Sequence, residues 1–416
     1  MKTNRWGIAA AGFLLQIALG AVYAWSVFRA PLAKQFGWSI SEVTLTFTIS
    51  IFVLGIAAFF GGLWLNRKGP RVVALTGGIL YGVGVLLASL SHNIWWLYLS
   101  YGLIGGAGVG LCYIVPVAVL VKWFPDRRGL ITGIAVGGFG LGALVTAPVA
   151  TRLIQSVGVL PTFAYLGIAY LIITVVAGYF MQNPPDGWKP EGWSPSASQA
   201  SHRASHDYTL GEALRTWQWW ALWLLLFLNT SAGISLISQE APLFQEMVRA
   251  SAVVAAGMVG VASIGNAFGR VFWAWASDTI TRRATFIVMF LAQAVLFWIL
   301  PHVQAVSTMT IIAFVILMCY GGGFGTMPAF AADYFGSKNV GPIYGLMLTA
   351  WGFASAFGPL LIAYMRQASG LYGSALHVIA GVMAVSTLLP FIVSPPQAEP
   401  EERQPLAPQA THSPAA

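Results

Sequence analysis

Long apolar runs, each of about the 20 residues that a helix needs to cross a bilayer core, alternate along the chain with short polar breaks. The runs are continuous and show no ten-residue alternation of apolar and polar positions, so they predict helices and not barrel strands. Their limits fall near 6–28, 43–65, 71–91, 95–121, 129–151 and 161–182, then near 217–239, 252–277, 284–301, 307–332, 341–365 and 372–393. Twelve spans result, in two sets of six. Between the sets, Asn183 to Leu210 is rich in Pro, Ser, His and Gly, and a similar tail follows Ser394. The expected organisation is an N-terminal six-helix bundle over 1–182, a linker over 183–213, a C-terminal six-helix bundle over 214–393 and a disordered tail over 394–416.

Composition narrows the class. Of 416 residues, 57% are hydrophobic and 8% charged, with a mean hydropathy of +0.73; a soluble domain carries about a quarter charged residues to face water. The chain is therefore expected to be an all-α integral membrane protein with lipid as its main solvent. The first run is longer than a signal-peptide core and predicts a retained span. The formal charge of +8 is scattered in short clusters between apolar runs, a topogenic pattern and not a nucleic-acid face. Fifteen lysines and arginines fall on the side of the termini. Five (Arg29, Lys34, Arg152, Arg249 and Arg366) fall on the other, and Arg270 lies within a span. That asymmetry predicts cytoplasmic termini. Cys112 and Cys319 both lie in apolar stretches and offer no disulfide framework or metal cage.

The two halves overlay at a constant offset of 212 residues. Asn66, Arg67 and Arg71 fall on Asp278, Thr279 and Arg283; Pro116 falls on Pro328; Gly129, Gly133 and Gly140 fall on Gly341, Gly345 and Gly352. Six plus six parallel repeats joined by a linker describe the major facilitator architecture, whose bundles rock about a mid-membrane site. The stretch Gly62 to Arg71 resembles that superfamily's first signature, with Asn66 where an Asp is usual; the second half keeps the acid as Asp278, followed by Arg282 and Arg283. Arg67, Arg71, Asp278, Arg282 and Arg283 are thus candidate gating residues, although arginines that merely set topology would look alike.

Arg270 is the candidate centre of the chemistry. Its repeat equivalent is Ala58, and it sits about two turns, roughly 12 Å, before the helix end at Asp278. A guanidinium inside a span costs several kcal/mol or more and marks a pathway by default. Its fork suits a carboxylate. Asn266 lies four residues earlier on the same face. Tyr320 and Phe324 share a face among the glycines of the tenth span, and Tyr113 and Tyr23 offer phenols in the fourth and first. Helix packing is the competing reading for each of these four aromatics and for Asn266. The string Gly105 to Gly110 follows no strand and reads as close packing, not a phosphate loop. His92, His302 and His377 are isolated. With no nucleophile elbow, zinc motif or carboxylate dyad, no enzyme activity, metal or cofactor is expected.

Two local motifs narrow the family. Lys122-Trp123-Phe124-Pro125-Asp126-Arg127-Arg128-Gly129, running on to Gly138, resembles the helix 4–5 signature of monocarboxylate transporters. Gly20 to Phe28 resembles the first helix of the related oxalate–formate antiporter branch. The resemblance extends over all twelve spans. It implies that Arg270 matches the family arginine that binds the substrate carboxylate. Asn266 stands where animal members carry an Asp implicated in proton coupling, and the eleventh span lacks the lysine of the oxalate exchangers.

These features predict a secondary transporter of a small monocarboxylate anion such as lactate or pyruvate, coupled to protons, in a plasma membrane of the bacterial inner-membrane kind. Arg270 would anchor the carboxylate, Asn266, Tyr113 and Tyr320 the 2-oxygen, and Phe324, Trp351 and Leu141 the apolar end, with Tyr23 as a further substrate-binding candidate through its phenol. No obligate protein partner and no nucleic acid are expected. Anion exchange of the oxalate–formate kind, a transporter-like receptor and an anion channel stay open as alternatives.

Overall fold

A computed structural model of the chain describes residues 4–185, 187–192, 206–369 and 371–396. Much of the expected linker and nearly all of the expected tail lie outside the described residues. Those described form helices and no strand.

In the first half, α1 (Arg5–Gly20) runs through a tight 3-10 turn, Ala21–Ala24, into α2 (Trp25–Phe36). There follow α3 (Ile40–Lys68) and α4 (Pro70–Ala88). A short α5 (Ile94–Leu97) continues through the π-helical Tyr98–Gly105 into α6 (Gly106–Trp123). Then come α7 (Arg128–Val157) and α8 (Val159–Tyr179). The second half opens with a short α9 (Leu210–Arg215), then α10 (Trp217–Met247), α11 (Ala252–Ile280), α12 (Arg282–Ile299) and α13 (Val306–Phe335). The next span is broken at Leu348 into α14 (Val340–Met347) and α15 (Thr349–Ser369). The last comprises α16 (Tyr372–Ser386) and α17 (Leu389–Ile392).

Local chemistry sets several starts. Ser39 and Glu42 close a reciprocal capping box on α3, Thr216 caps α10, and Ser251 caps α11. Eleven helical stretches among the described residues are long and apolar enough to cross a membrane. Beside them stands α11, 29 residues long, which carries Asn266 and Arg270. Large apolar side chains such as Phe60, Trp95, Ile172, Trp298 and Phe391 face outward, as lipid-facing surfaces require.

The halves meet through equivalent helices. The first half's α7 packs along α11 and α13, while α3 packs along α14 and α15. Close approach is required where Gly133 and Gly325 flank the backbone carbonyl of Arg270. A Cβ at Gly133 would lie 2.6 Å from that oxygen, and one at Gly325 would overlap it. Small residues at such crossings let backbones meet. They also fix the position of the arginine.

Candidate functional site

Arg270 is fully buried where the two halves meet. Its Nε donates to the Oδ1 of Asn266 at 3.2 Å, one turn earlier on α11. One terminal nitrogen, Nη1, donates to the carbonyl of Val136 on α7 at 3.4 Å, and Nη2 makes no close hydrogen bond among the described residues. No salt bridge reaches the guanidinium among the described residues. Asn266 thus acts on the arginine itself: its amide oxygen turns the guanidinium, leaving the outer edge of the fork open. The Phe324 ring centroid lies 4.9 Å from the guanidinium carbon and that of Phe139 lies 5.7 Å away, so π faces take part of the charge.

Around this cation stands a ring of aromatic side chains from both halves. Tyr23 comes from the 3-10 turn of the first span, Tyr113 from α6 and Phe139 from α7; Tyr320 and Phe324 come from α13, Tyr344 from α14 and Trp351 from α15. Phe139 lies edge-on to Tyr23 and Tyr113, at 5.1 and 5.2 Å between ring centroids. Trp351 sits 4.9 Å from Phe324, and Phe324 5.3 Å from Tyr320. Among the described residues, the hydroxyls of Tyr23, Tyr113, Tyr320 and Tyr344 and the indole Nε1 of Trp351 are buried and make no close hydrogen bond; Tyr23 and Tyr113 face Arg270, and Tyr23 with Tyr320, Tyr113 with Tyr344 and Tyr320 with Trp351 face one another at longer range. Buried polar groups are normally paired. Five such donors beside an open guanidinium edge make a preformed set for one small polar anion. Tyr23, Tyr113 and Tyr320 lie within electrostatic reach of the guanidinium.

Seven of the eight residues expected at the site are therefore brought together. Leu141, two residues after Phe139 on α7, is half-buried, and it is Phe139 whose ring stands beside Trp351. Residues two apart on a helix do not share a face. Tyr344 and Phe139 were not anticipated. The repeat offset could have found Phe139, because it is the equivalent of Trp351.

The loop face that holds Asn4, Asp126 and Arg283 carries the charged contacts. Asp278 accepts from the backbone N–H groups of Gly129 and Leu130 at 3.0 and 2.9 Å, capping the start of α7 across the halves. Arg282 pairs with Asp278 at 2.7 Å and with Asp333 at 2.9 Å, and Arg128 of the first half reaches Asp333 at 3.1 Å. At the equivalent place, Asn66 donates to Asn339 at 2.9 Å, just before α14. Of the five expected gating residues, Asp278 and Arg282 join this network. Arg71 instead lies over Tyr179 of its own half at 4.6 Å, and Arg283 donates to the carbonyl of Val393. Arg67 is exposed.

Comparison with known proteins agrees with this architecture. The family model described as Major Facilitator Superfamily matches residues 8–332 and 250–416. The chain is 28% identical over 403 residues to the oxalate:formate antiporter of Oxalobacter formigenes, covering 96% of this chain and 94% of that one. It is 26% identical over 398 residues to monocarboxylate transporter 13 of Rattus norvegicus, covering 92% and 87%. Its backbone matches the crystal structure of the human organic anion transporter MFSD10 with a TM-score of 0.73 at 14% identity, over 94% of this chain and 100% of the other.

Proposed function

Since the chain belongs to the Major Facilitator Superfamily, we propose that it is a secondary transporter of small monocarboxylates of the lactate or pyruvate type, coupled to protons and working by alternating access. One observation carries the reading. Among the described residues, a fully buried guanidinium with no paired carboxylate, whose Nη2 makes no close hydrogen bond, is surrounded by five buried hydroxyl and indole donors that likewise make none.

The substrate carboxylate takes the open edge of Arg270, held by Asn266. The hydroxyls of Tyr113, Tyr320, Tyr344 and Tyr23 bond the carboxylate and a 2-oxygen, while Phe139, Phe324 and Trp351 wall the apolar end. One cation matches one carboxylate, because a dianion would leave a second buried charge unpaired. The units that rock are residues 1–182 and 214–393, with 183–213 as linker. Both termini are cytoplasmic and the membrane is a bacterial inner membrane. The contacts of Asp278, Arg282, Asp333 and Arg128 hold the cytoplasmic side shut.

Uptake of labelled L-lactate and pyruvate into proteoliposomes under an acid-outside pH gradient tests this, with Arg270→Ala as comparison. Saturable, gradient-driven uptake that the substitution abolishes supports the proposal. Normal transport by a folded Arg270→Ala overturns the site. The similarity to an oxalate:formate antiporter favours anion exchange as second reading. Uptake that requires anion inside the vesicle, whatever the pH gradient, would establish it.

A further inference from the structure

We propose that Glu240 is the residue that carries the proton through the transport cycle. The inference rests on the proton-coupled reading above and adds to it a site outside the Arg270 ring.

Glu240 lies on α10, three residues past Ile237, where the apolar crossing of that helix ends. It is only 3% exposed, its Oε1 has no hydrogen-bond partner, and no salt bridge reaches it among the described residues. A carboxylate taken out of water without a partner is costly, and the group neutralises by taking up a proton. Burial alone pushes this carboxyl up to about 8.

Its place on the helix links it to the anion site. Asn229, Gly233, Leu236, Glu240 and Leu243 follow one another at spacings of four and three, and all are buried, so they form one stripe of α10. In that stripe Asn229 donates to the carbonyl of Cys319 at 3.2 Å, and Gly233 is packed so closely on the Tyr320 ring that no Cβ would fit. Tyr320 belongs to the ring around Arg270. Glu240 stands seven residues beyond Gly233 on the same face, about 10 Å along the axis by helical rise. It lies toward the loop face opposite Asp126.

Other titratable groups stand near this end, among them His377, whose buried Nε2 makes no close hydrogen bond and whose ring lies on Trp298 and His302 at 4.6 and 5.7 Å. At this end, the helices packed on α10 bring Tyr364 and Arg366 of α15 and Tyr372 and His377 of α16. The side chain of Arg366 lies outside the described residues, Tyr364 is 74% exposed, and Tyr372 donates its hydroxyl to the neighbouring Gln239 at 3.2 Å. Deeper, α11 and α13 contribute Arg270, Cys319 and Tyr320. On its own segment Glu246 and Arg249 follow nearer the loop, and the charges of α9 and α12 belong to the opposite face.

The cycle then balances. Glu240 takes a proton when its end of the pathway is open to the acidic side. The neutral carboxyl becomes buried as that end closes, while Arg270 and the anion neutralise each other. Opening to the other side releases the anion from Arg270, and the proton leaves Glu240 toward that side along the α10 stripe, past Gly233 and the Tyr320 hydroxyl. The empty carrier returns with ionised Glu240 offset by the free cation of Arg270, whereas anion without a proton leaves one negative charge buried and uncompensated, so anion flux is tied to proton flux.

Glu240→Gln tests this in the same proteoliposomes, with whichever of lactate and pyruvate the wild type carries. The expected result is loss of accumulation under an acid-outside gradient, by tenfold or more, with exchange of labelled for unlabelled substrate kept within about twofold and insensitive to pH. Glu240→Asp, which can still titrate, should keep coupling. Purified wild type should show an infrared band of a protonated carboxyl near neutral pH that Glu240→Gln lacks. Gradient-driven accumulation by Glu240→Gln equal to wild type overturns the assignment, as does loss of both transport modes in the Gln and Asp variants, which marks a structural role. A wild type that ignores the gradient overturns the symport reading itself.

Discussion

Phe139 and Trp351 stand 6.2 Å apart between ring centroids, edge to face, and occupy equivalent positions of the two six-helix repeats. Each half thus sends one aromatic residue to the junction from its fifth helix. Arg270 breaks the symmetry, since its counterpart Ala58 supplies only bulk. In the proposed function, a pair of similar rings from the two halves encloses the anion site while a single cation gives it direction.

Replacing Trp351 by Lys would place a second cation beside Phe324 and Arg270. Monocarboxylate uptake should fall at least tenfold, and uptake of a short dicarboxylate such as oxalate should appear, because two buried cations require two negative charges. Competition of labelled lactate by unlabelled oxalate reads the switch.

Arg270→Lys keeps the charge but loses the planar fork and the Nε bond to Asn266. The expected loss is about 3 kcal/mol of substrate binding, roughly 100-fold in the concentration for half-maximal uptake. Asn266→Asp instead pairs the arginine internally. It should weaken substrate binding although the new side chain is isosteric.

Gly325→Ala pushes a methyl into the carbonyl of Arg270. Overpacking of this kind costs about 1–3 kcal/mol, and the backbone that moves is the one carrying the guanidinium. Thermal unfolding in detergent should drop by several degrees, and half-maximal uptake should shift as well.

Asp278→Asn keeps the shape of the cap on α7 but removes the charge that Arg282 and the N–H groups of Gly129 and Leu130 share. Hydrogen bonds to charged groups contribute about 1.5–3 kcal/mol. Thiol labelling of a cysteine placed at the half-buried Leu130 should accelerate at least fivefold as the face that holds Asp126 opens.

The Glu240 carboxyl also sets a pH dependence of stability. Its folded-state value is raised by burial to about 8, so its contribution is fully present below the ordinary carboxylate range and is lost as pH rises through about 8. Melting temperature should fall over that interval in wild type and less in Glu240→Gln, whose amide cannot ionise.

The membrane architecture was legible in the sequence because lipid imposes a simple demand: helix-length apolar runs, repeated. Arg270 was legible for the same reason, a charge where none is cheap. Phe139 and Tyr344 were hidden because an aromatic residue in an apolar run is what packing or lipid also selects. The ion pair of Arg128 with Asp333 joins residues 205 apart in sequence, a distance that no local pattern encodes. Arg71 and Arg283 read as gate residues by spacing, yet a cation–π contact and a backbone carbonyl hold them within their own halves.

The two latches of the face that holds Asp126 are unequal. One is an ion-paired aspartate capping α7, the other an amide bridge between Asn66 and Asn339. If the halves rock as proposed, a force shared between the two parts the uncharged seam first, so the halves begin by swivelling about the charged edge, like a door on its hinge, before that edge opens too. Ionic strength then acts on the hinge side alone, and the weaker seam sets how easily the door begins to move.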